Sequence, residues 1–356
     1  MKAILYIKGS SVKDVRIQKF ITYFNSKSLD VYFWGWDRIK EDKFHDDNVS
    51  YLLRKGGYNN KYLFFYYPLW AIIVFFKLVF TSNLTKYNII AINFECGLPV
   101  YLASKIKKVQ YIYEIYDEFS ISHNFPNLLK KVLEKLDHKV MRTASCVIHV
   151  DENRITYDQC NSIVIENSPY DYYENLERKY DDLVHAFAII GNISRTRGID
   201  QIYLFAKENP EIQFLLAGTF YDIYYKKLLL SLKNVAYYDR MSQLELFPKI
   251  EKCCGIFSLY DPALEINRLA ASNKVYDAMM LGIPVITNPD VVNSRFVSSQ
   301  NVGVIINYKY DKTWDILAKK TFVERAKVIG QNGRRLYLDR FRIEKMIEDR
   351  LIPLLK

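Results

Sequence analysis

The sequence predicts an α/β fold built from two Rossmann-like domains, each on a parallel sheet. Three observations predict it. Short apolar, strand-like runs alternate with helix-like stretches along nearly the whole chain. The alternation starts twice, with a polar stretch around Tyr170–Asp182 between the two blocks. Ser272–Thr287, SNKVYDAMMLGIPVIT, reads as a helix start, a short helix, a stopping glycine and a buried strand. Alternating strands and helices imply parallel, doubly wound sheets. The expected domains span residues 1–170 and 171–339.

The elements follow in order. Ala3–Ile7 reads as a strand, Gly9–Ser11 as a tight loop and Val15–Asn25 as a helix. Val31–Trp36 is a strand, as is Ile89–Asn93, with a helix near Leu98–Lys105 after it. Tyr111–Ile115 and Cys146–Val150 are the remaining strands of the first block. The second block opens with strand Ala186–Ile190, helix Ile199–Glu208 and strand Phe214–Ala217. Helix Tyr224–Leu232, strand Val235–Tyr237, helix Gln243–Ile250 and strand Gly255–Leu259 come next. Ser272–Thr287 supplies a helix and strand, Gly303–Ile306 a strand, and helices cover about Thr313–Lys327 and Ile343–Leu354. Ligands in such sheets bind at the carboxyl ends of the strands.

The composition fits a globular chain of this size. Of 356 residues, 50% are hydrophobic and 25% charged, enough apolar content for two cores. The net charge is +10. Residues 1–165 carry 23 Lys/Arg against 16 Asp/Glu, +7, and the rest carry 27 against 24, +3. The basic excess in the first half favours an anionic partner there, a membrane surface or a phosphate-bearing acceptor, with a general solubility bias as the alternative. No nucleic-acid partner is expected. Five cysteines, Cys96, Cys146, Cys160, Cys253 and Cys254, show no metal-ligand spacing and read as reduced thiols of a cytoplasmic protein. The opening MKAILYI leads straight into a strand and is too short for a secretory signal.

Two segments suggest membrane contact. Residues 62–80, YLFFYYPLWAIIVFFKLVF, are 19 residues with one charge, Lys77. A spanning helix needs about 20 apolar residues. The expectation is a helix after Pro68 that packs partly on the core and partly meets lipid. A wholly buried core helix is the alternative, and a true span is the weakest reading. Residues 127–142 place Leu128, Leu129, Val132, Leu133, Leu136 and Val140 on one helical face and Lys130, Lys131, Lys135 and Lys139 away from most of them. This fits an interfacial basic helix, or an ordinary solvated one.

Candidate chemistry begins at Lys274. Ser272 is a good N-cap residue, and Gly282 and Pro284 end the helix. A cation in the first turn opposes the helix dipole. It makes sense where an anion binds the free N–H groups of the helix start. Asp277 lies three residues on, on the same face, where it can accept from sugar hydroxyls. Gly191–Gly198, GNISRTRG, follows a strand end and adds Arg195 and Arg197. A solvated basic loop is the plain reading of these arginines alone. Their pairing with Lys274 at an equivalent strand end makes a diphosphate clamp the better one. Gly9 and Ser10 offer a first-strand loop whose backbone can approach a phosphate.

With these residues in view, the chain resembles glycosyltransferase family 4, which has the GT-B fold. The resemblance covers nearly the whole length and is sharpest in Leu259–Thr287. Tyr260-Asp261-Pro262, Asn267, Ser272-Asn273-Lys274, Asp277-Ala278-Met279 and Gly282-Ile283-Pro284-Val285-Ile286 match the family's run of motifs. Arg197-Gly198 matches its Lys-Gly, with Asn192 in place of an arginine. Val15-Arg16-Ile17 after Gly9-Ser10-Ser11 looks like its first loop and helix. Tyr113–Asp117, YEIYD, resembles its Tyr-Asp-Val-His-Asp, with Tyr116 where His is usual. Tyr116 can donate a hydrogen bond but does not titrate near neutral pH. Asp117 is equally a helix N-cap candidate. Leu269 stands where the family has a sugar-gripping acid, and Glu265 is the nearby substitute. His123, His138 and His149 have no site pattern.

The resemblance implies two Rossmann-like domains facing across a cleft, with a last helix, about 340–356, returning to the first domain. It implies a retaining, hexosyltransferase-like and metal-independent glycosyltransferase acting on a UDP-sugar or GDP-sugar, with no cofactor. The acceptor would be a glycan or lipid-linked saccharide in cell-surface polysaccharide or glycoconjugate biosynthesis, at the inner face of the cell membrane. Catalytic roles fall to Asp117, Tyr116, Arg197 and Lys274. Donor binding falls to Gly9, Ser10, Gly191, Arg195, Asn273, Asp277 and Glu265. The alternatives are a GT-B nucleotide-sugar epimerase and a non-catalytic partner subunit. A nicotinamide-dependent dehydrogenase is disfavoured, because the first loop is GSSVKD and not Gly-x-Gly-x-x-Gly.

Overall fold

The computed structural model describes residues 2–40, 46–57, 63–117, 119, 126–155, 157–174, 177–269 and 272–355. Tyr62, His123 and residues 175–176 of the polar stretch lie outside the described residues. The chain divides into two compact units, residues 1–166 with 343–356, and residues 167–342.

The first unit holds a seven-stranded, wholly parallel sheet in the order β3-β2-β1-β4-β5-β6-β7. Its strands are β1 (Ala3–Lys8), β2 (Val31–Trp36), β3 (Val49–Leu53), β4 (Tyr87–Ile92), β5 (Tyr111–Ile115), β6 (Cys146–His149) and β7 (Ser162–Val164). The second unit holds six parallel strands ordered β10-β9-β8-β11-β12-β13. These are β8 (Val184–Ile193), β9 (Gln213–Phe220), β10 (Val235–Tyr238), β11 (Cys253–Phe257), β12 (Val285–Thr287) and β13 (Gly303–Ile305). In each unit the order reverses beside the first strand, which is the switch point where doubly wound sheets bind ligands.

The central strands form because they are apolar on both faces, as a sheet covered twice requires. All five residues of β5 and of β11 are buried. On one face of the first sheet, α1 (Val15–Ser26) starts at Asp14, whose carboxylate accepts from the N–H groups of Arg16 and Ile17. On the other, α2 (Leu63–Phe80), α3 (Phe94–Lys107) and α4 (Asn127–Thr143) share a core that includes Trp36, Trp70, Cys96, Val100 and Met141. The Trp36 and Trp70 rings stack with centroids 5.8 Å apart. In the second unit, α5 (Ile199–Glu208) and α6 (Ile223–Leu230) follow β8 and β9. The next helix, α7 (Gln243–Ile250), opens on a capping box between Ser242 and Glu245. A single turn, α8 (Glu265–Arg268), precedes α9 (Asn273–Leu281).

The structure departs from the sequence expectations in several places. The helix expected after Pro68 starts at Leu63, so Pro68 lies inside it. Strands β3 and β7 were not expected. Strand β8 runs on through Gly191–Ile193, which reads as loop in the sequence. The helix expected over 313–327 is a short turn, Asp315–Ala318, and then a separate helix, Phe322–Leu336. All five cysteines are free thiols, four buried and Cys160 half-buried.

Candidate functional site

A cavity of about 360 Å³ opens at the carboxyl ends of β8 and β11 in the second unit. Its lining includes Gly191, Arg197, Arg240, Tyr260, Lys274 and Asp277. Tyr260 forms its centre. Tyr260 is 6% exposed. The Tyr260 N–H donates to the Asn288 side-chain oxygen at 3.0 Å, and the Asn288 amide donates back to the Tyr260 carbonyl at 3.1 Å. Asn288 itself is fully buried, so this pair fixes the chain just beyond β11.

Two cations meet over the Tyr260 ring. The Arg197 guanidinium carbon lies 3.9 Å from the ring centroid and the Lys274 Nζ lies 5.8 Å from it. Burial pushes the Tyr260 phenol up. Lys274, Arg197 and the hydroxyls of Ser272 and Ser258 outweigh it and bring the group below its ordinary value. The Nη1 of Arg197 is buried without a protein partner. A buried, unsatisfied guanidinium nitrogen is costly unless an acceptor arrives. Among the charged residues that line the cavity, Arg197, Arg240 and Lys274 stand against Asp277 alone. This balance suits a dianion or trianion.

Local structure explains the placement. Arg197 ends a single 3₁₀ turn, Arg195–Arg197, that follows β8. The turn is tied to the Tyr260 region, because the Asp261 N–H and the Asn267 side chain both donate to the Thr196 carbonyl, at 3.0 and 3.4 Å. Lys274 stands in the first turn of α9, and Gly282 ends that helix at φ +65°. Ser272 does not cap α9 with its side chain, contrary to the sequence expectation. Its hydroxyl lies 2.7 Å from that of Ser258 instead. The helix start therefore keeps N–H groups with no side-chain acceptor, beside a lysine, at the cavity wall. Asp277, 6% exposed, accepts from the Gln243 amide at 3.2 Å.

The structure thus brings together Gly191, Arg197, Asn273, Lys274 and Asp277. It does not bring Arg195 or Glu265 to the cavity. In the tight 3₁₀ turn, residues two apart point to different sides. Arg195 is exposed, 6.0 Å from the Tyr225 ring, while its carbonyl accepts from the Tyr308 hydroxyl at 2.7 Å. Glu265 begins α8, exposed to solvent, and Leu269 is 43% exposed at its end. Sequence reasoning missed Arg240 and Tyr260. Arg240 follows β10 with no motif around it. Tyr260 stands in the Tyr-Asp-Pro match, which by itself assigns it no role.

In the first unit, Gly9, Ser10, Tyr116 and Asp117 lie at the carboxyl ends of β1 and β5. Lys8 is 6% exposed, forms an ion pair with Asp14 at 2.9 Å and stands 3.9 Å above the Tyr116 ring. Burial pushes Lys8 down, opposed chiefly by Asp14. The Tyr116 hydroxyl is buried, and burial, then Glu114, hold its pKa far above the ordinary value. Asp117 is 65% exposed and pairs with Arg154 at 2.8 Å. The residues its N-cap role would serve begin at 118, outside the described set. Glu95, in the first turn of α3, reaches this strand end too. A Cβ on Gly9 would fall 2.9 Å from its Oε1. Burial raises the Glu95 carboxyl, against Arg38 and Lys8. No sequence pattern singled it out.

No protein-family model matches the sequence, and no curated protein matches it significantly. Solved structures do match. Sucrose-phosphate synthase from Thermosynechococcus elongatus superposes with a TM-score of 0.69 at 14% identity, over 98% of both chains. The Anabaena protein HepE in complex with UDP-glucose gives 0.67 at 15% identity, again over 98% of each. WaaG, described as a glycosyltransferase involved in lipopolysaccharide biosynthesis, gives 0.63 at 12% identity over 97% of this chain and 98% of its own. At these identities the likeness is one of architecture, and with two parallel Rossmann-like sheets the chain has the GT-B fold.

Proposed function

We propose that the protein is a glycosyltransferase that takes a sugar from a nucleoside diphosphate donor, UDP- or GDP-linked. The observation that carries this is the pair of cations over Tyr260, one of them with a buried, unpartnered nitrogen, at a switch-point strand end. The solved relatives include one described with UDP-glucose bound. In this reading the diphosphate lies against Arg197, Lys274 and the start of α9, and Asp277 accepts from the ribose hydroxyls.

As the bond from sugar to diphosphate breaks, negative charge builds on the leaving phosphate oxygen. Arg197, Lys274 and the helix N–H groups stabilise that charge before the acceptor hydroxyl completes the transfer. Such preorganised donors are usually the largest catalytic term. The cations supply this role from the chain itself, so the transfer proceeds without a metal; retention of the anomeric configuration is what the resemblance to glycosyltransferase family 4 implies. The acceptor is a glycan or lipid-linked saccharide of cell-surface biosynthesis, met at the cytoplasmic face of the membrane, with Tyr116 and Asp117 at the acceptor side.

Incubation of the full chain with a panel of UDP- and GDP-sugars in EDTA tests this. Release of nucleoside diphosphate from one donor, with retention of the anomeric configuration read by NMR of the product, is the expected result, and inversion would contradict the retaining reading. Activity lost in EDTA and restored by Mn²⁺ would contradict metal independence. A second reading, a non-catalytic subunit of the same fold, draws on Leu269 and Glu265, both exposed outside the cavity. Tight donor binding with no release of product would establish that reading instead.

A further inference from the structure

The outer side of α2 is apolar and uncovered. Its inner side is committed to the core through Trp70, Val74 and Leu78, each at most 1% exposed. Opposite them, Phe65 is 68% exposed, Leu69 41%, Ile72 53%, Phe76 51% and Phe80 80%. Their spacing of four, three, four and four residues keeps all five on one helical stripe. The Phe76 and Phe80 rings stack 6.1 Å apart along it. Beside this stripe, α3 exposes Leu102 and Ile106, and α4 exposes Leu128 and Val132. A contiguous apolar surface of this kind marks an interaction site.

Charge decides the partner. The exposed ionisable side chains of these three helices include Lys77, Lys105, Lys131, Lys135, Lys139 and Arg142. Their carboxylates are Glu95, Glu134 and Asp137, and none of the three is exposed. Asp137 is buried and accepts from the Tyr113 hydroxyl at 2.8 Å. A second copy of the chain docked through the same face would set these cations against one another. A surface of anionic headgroups over an apolar layer complements both the lysines and the phenylalanines. Among the described residues no helix is long and apolar enough to cross a membrane, and half of the α2 surface is already spent on the core.

We propose that the first unit docks on a bilayer containing anionic lipids, with α2 lying in the plane of the interface. Phe65, Leu69, Ile72, Phe76 and Phe80 enter the acyl boundary, and the lysines of α3 and α4 meet the headgroups. The surface alone carries this, independently of the sugar-transfer reading. The test is flotation of the full chain with vesicles of equal parts phosphatidylcholine and phosphatidylglycerol, beside vesicles of phosphatidylcholine alone. The chain should float with the mixed vesicles and far less with the neutral ones. The double variant Phe76→Ser, Phe80→Ser should partition at least about tenfold more weakly. The triple variant Lys131→Glu, Lys135→Glu, Lys139→Glu should lose about a hundredfold. Both variants alter exposed positions, so melting curves and UDP binding should match the parent, which separates this result from any failure of donor binding. A parent chain that stays unbound on mixed vesicles would overturn the proposal. So would a double variant that floats like the parent, or a dimer in sedimentation equilibrium that the double variant splits.

Discussion

Arg197 and Lys274 do different work from Arg195, although all three are cations near one strand end. The first two both lie against the Tyr260 ring and line the cavity, while Arg195 lies outside it. Lys274→Ala should therefore cut turnover about a hundredfold or more, by the usual worth of one donor to developing charge. Arg195→Ala should leave it within about twofold, as an exposed substitution does. Steady-state kinetics on both variants checks the contrast, and equal losses would remove Lys274 from its role. Lys274 and Asp277 were legible because helix periodicity sets residues three apart on one face. Arg195 was misplaced because a sequence does not show which side of a 3₁₀ turn each residue takes. Arg240 was illegible for a different reason, since only the parallel pairing of β10 with β9 brings it to the cavity.

Among the elements, β8 and β9 shape the cavity most. They run parallel past the point where the apolar pattern stops, and Gly191 pairs with Gly218 near their ends. Gly191 has φ +86° and Gly218 φ +144°, and a Cβ on Gly218 would lie 1.9 Å from the Gly191 carbonyl oxygen. The backbone must give way to any side chain there. Gly218→Ala should destabilise the chain by about 3 kcal/mol, read in urea unfolding, and weaken nucleotide binding as the strand end shifts away from Arg197. A variant of unchanged stability would show that the strands do not approach so closely. Helices α5 and α7 were legible to the residue. Strands β3 and β7 were not, because both are sheet edges with half-buried residues and no continuous apolar run.

Over the whole molecule, the double restart of the strand–helix pattern made two parallel sheets legible without any sequence relative. Sheets covered on both faces need apolar strands, and that requirement outlasts sequence identity, so a fold recurs at 14%. The +7 charge of residues 1–165 was equally legible, but its arrangement was not. Only the packing of α2 onto Trp36 and Cys96 shows which of its apolar sides is left over. The unit that carries that surface and the unit that carries the cavity are separate, so lipid binding and nucleotide binding should respond to different substitutions. The central claim concerns the cavity. Calorimetric titration of the full chain with UDP, GDP and the corresponding monophosphates tests it most directly. One diphosphate should bind more tightly than its monophosphate, and Arg197→Ala should weaken that diphosphate at least about tenfold by loss of a charge-assisted contact. Binding of neither diphosphate, or equal binding by parent and variant, would contradict the account.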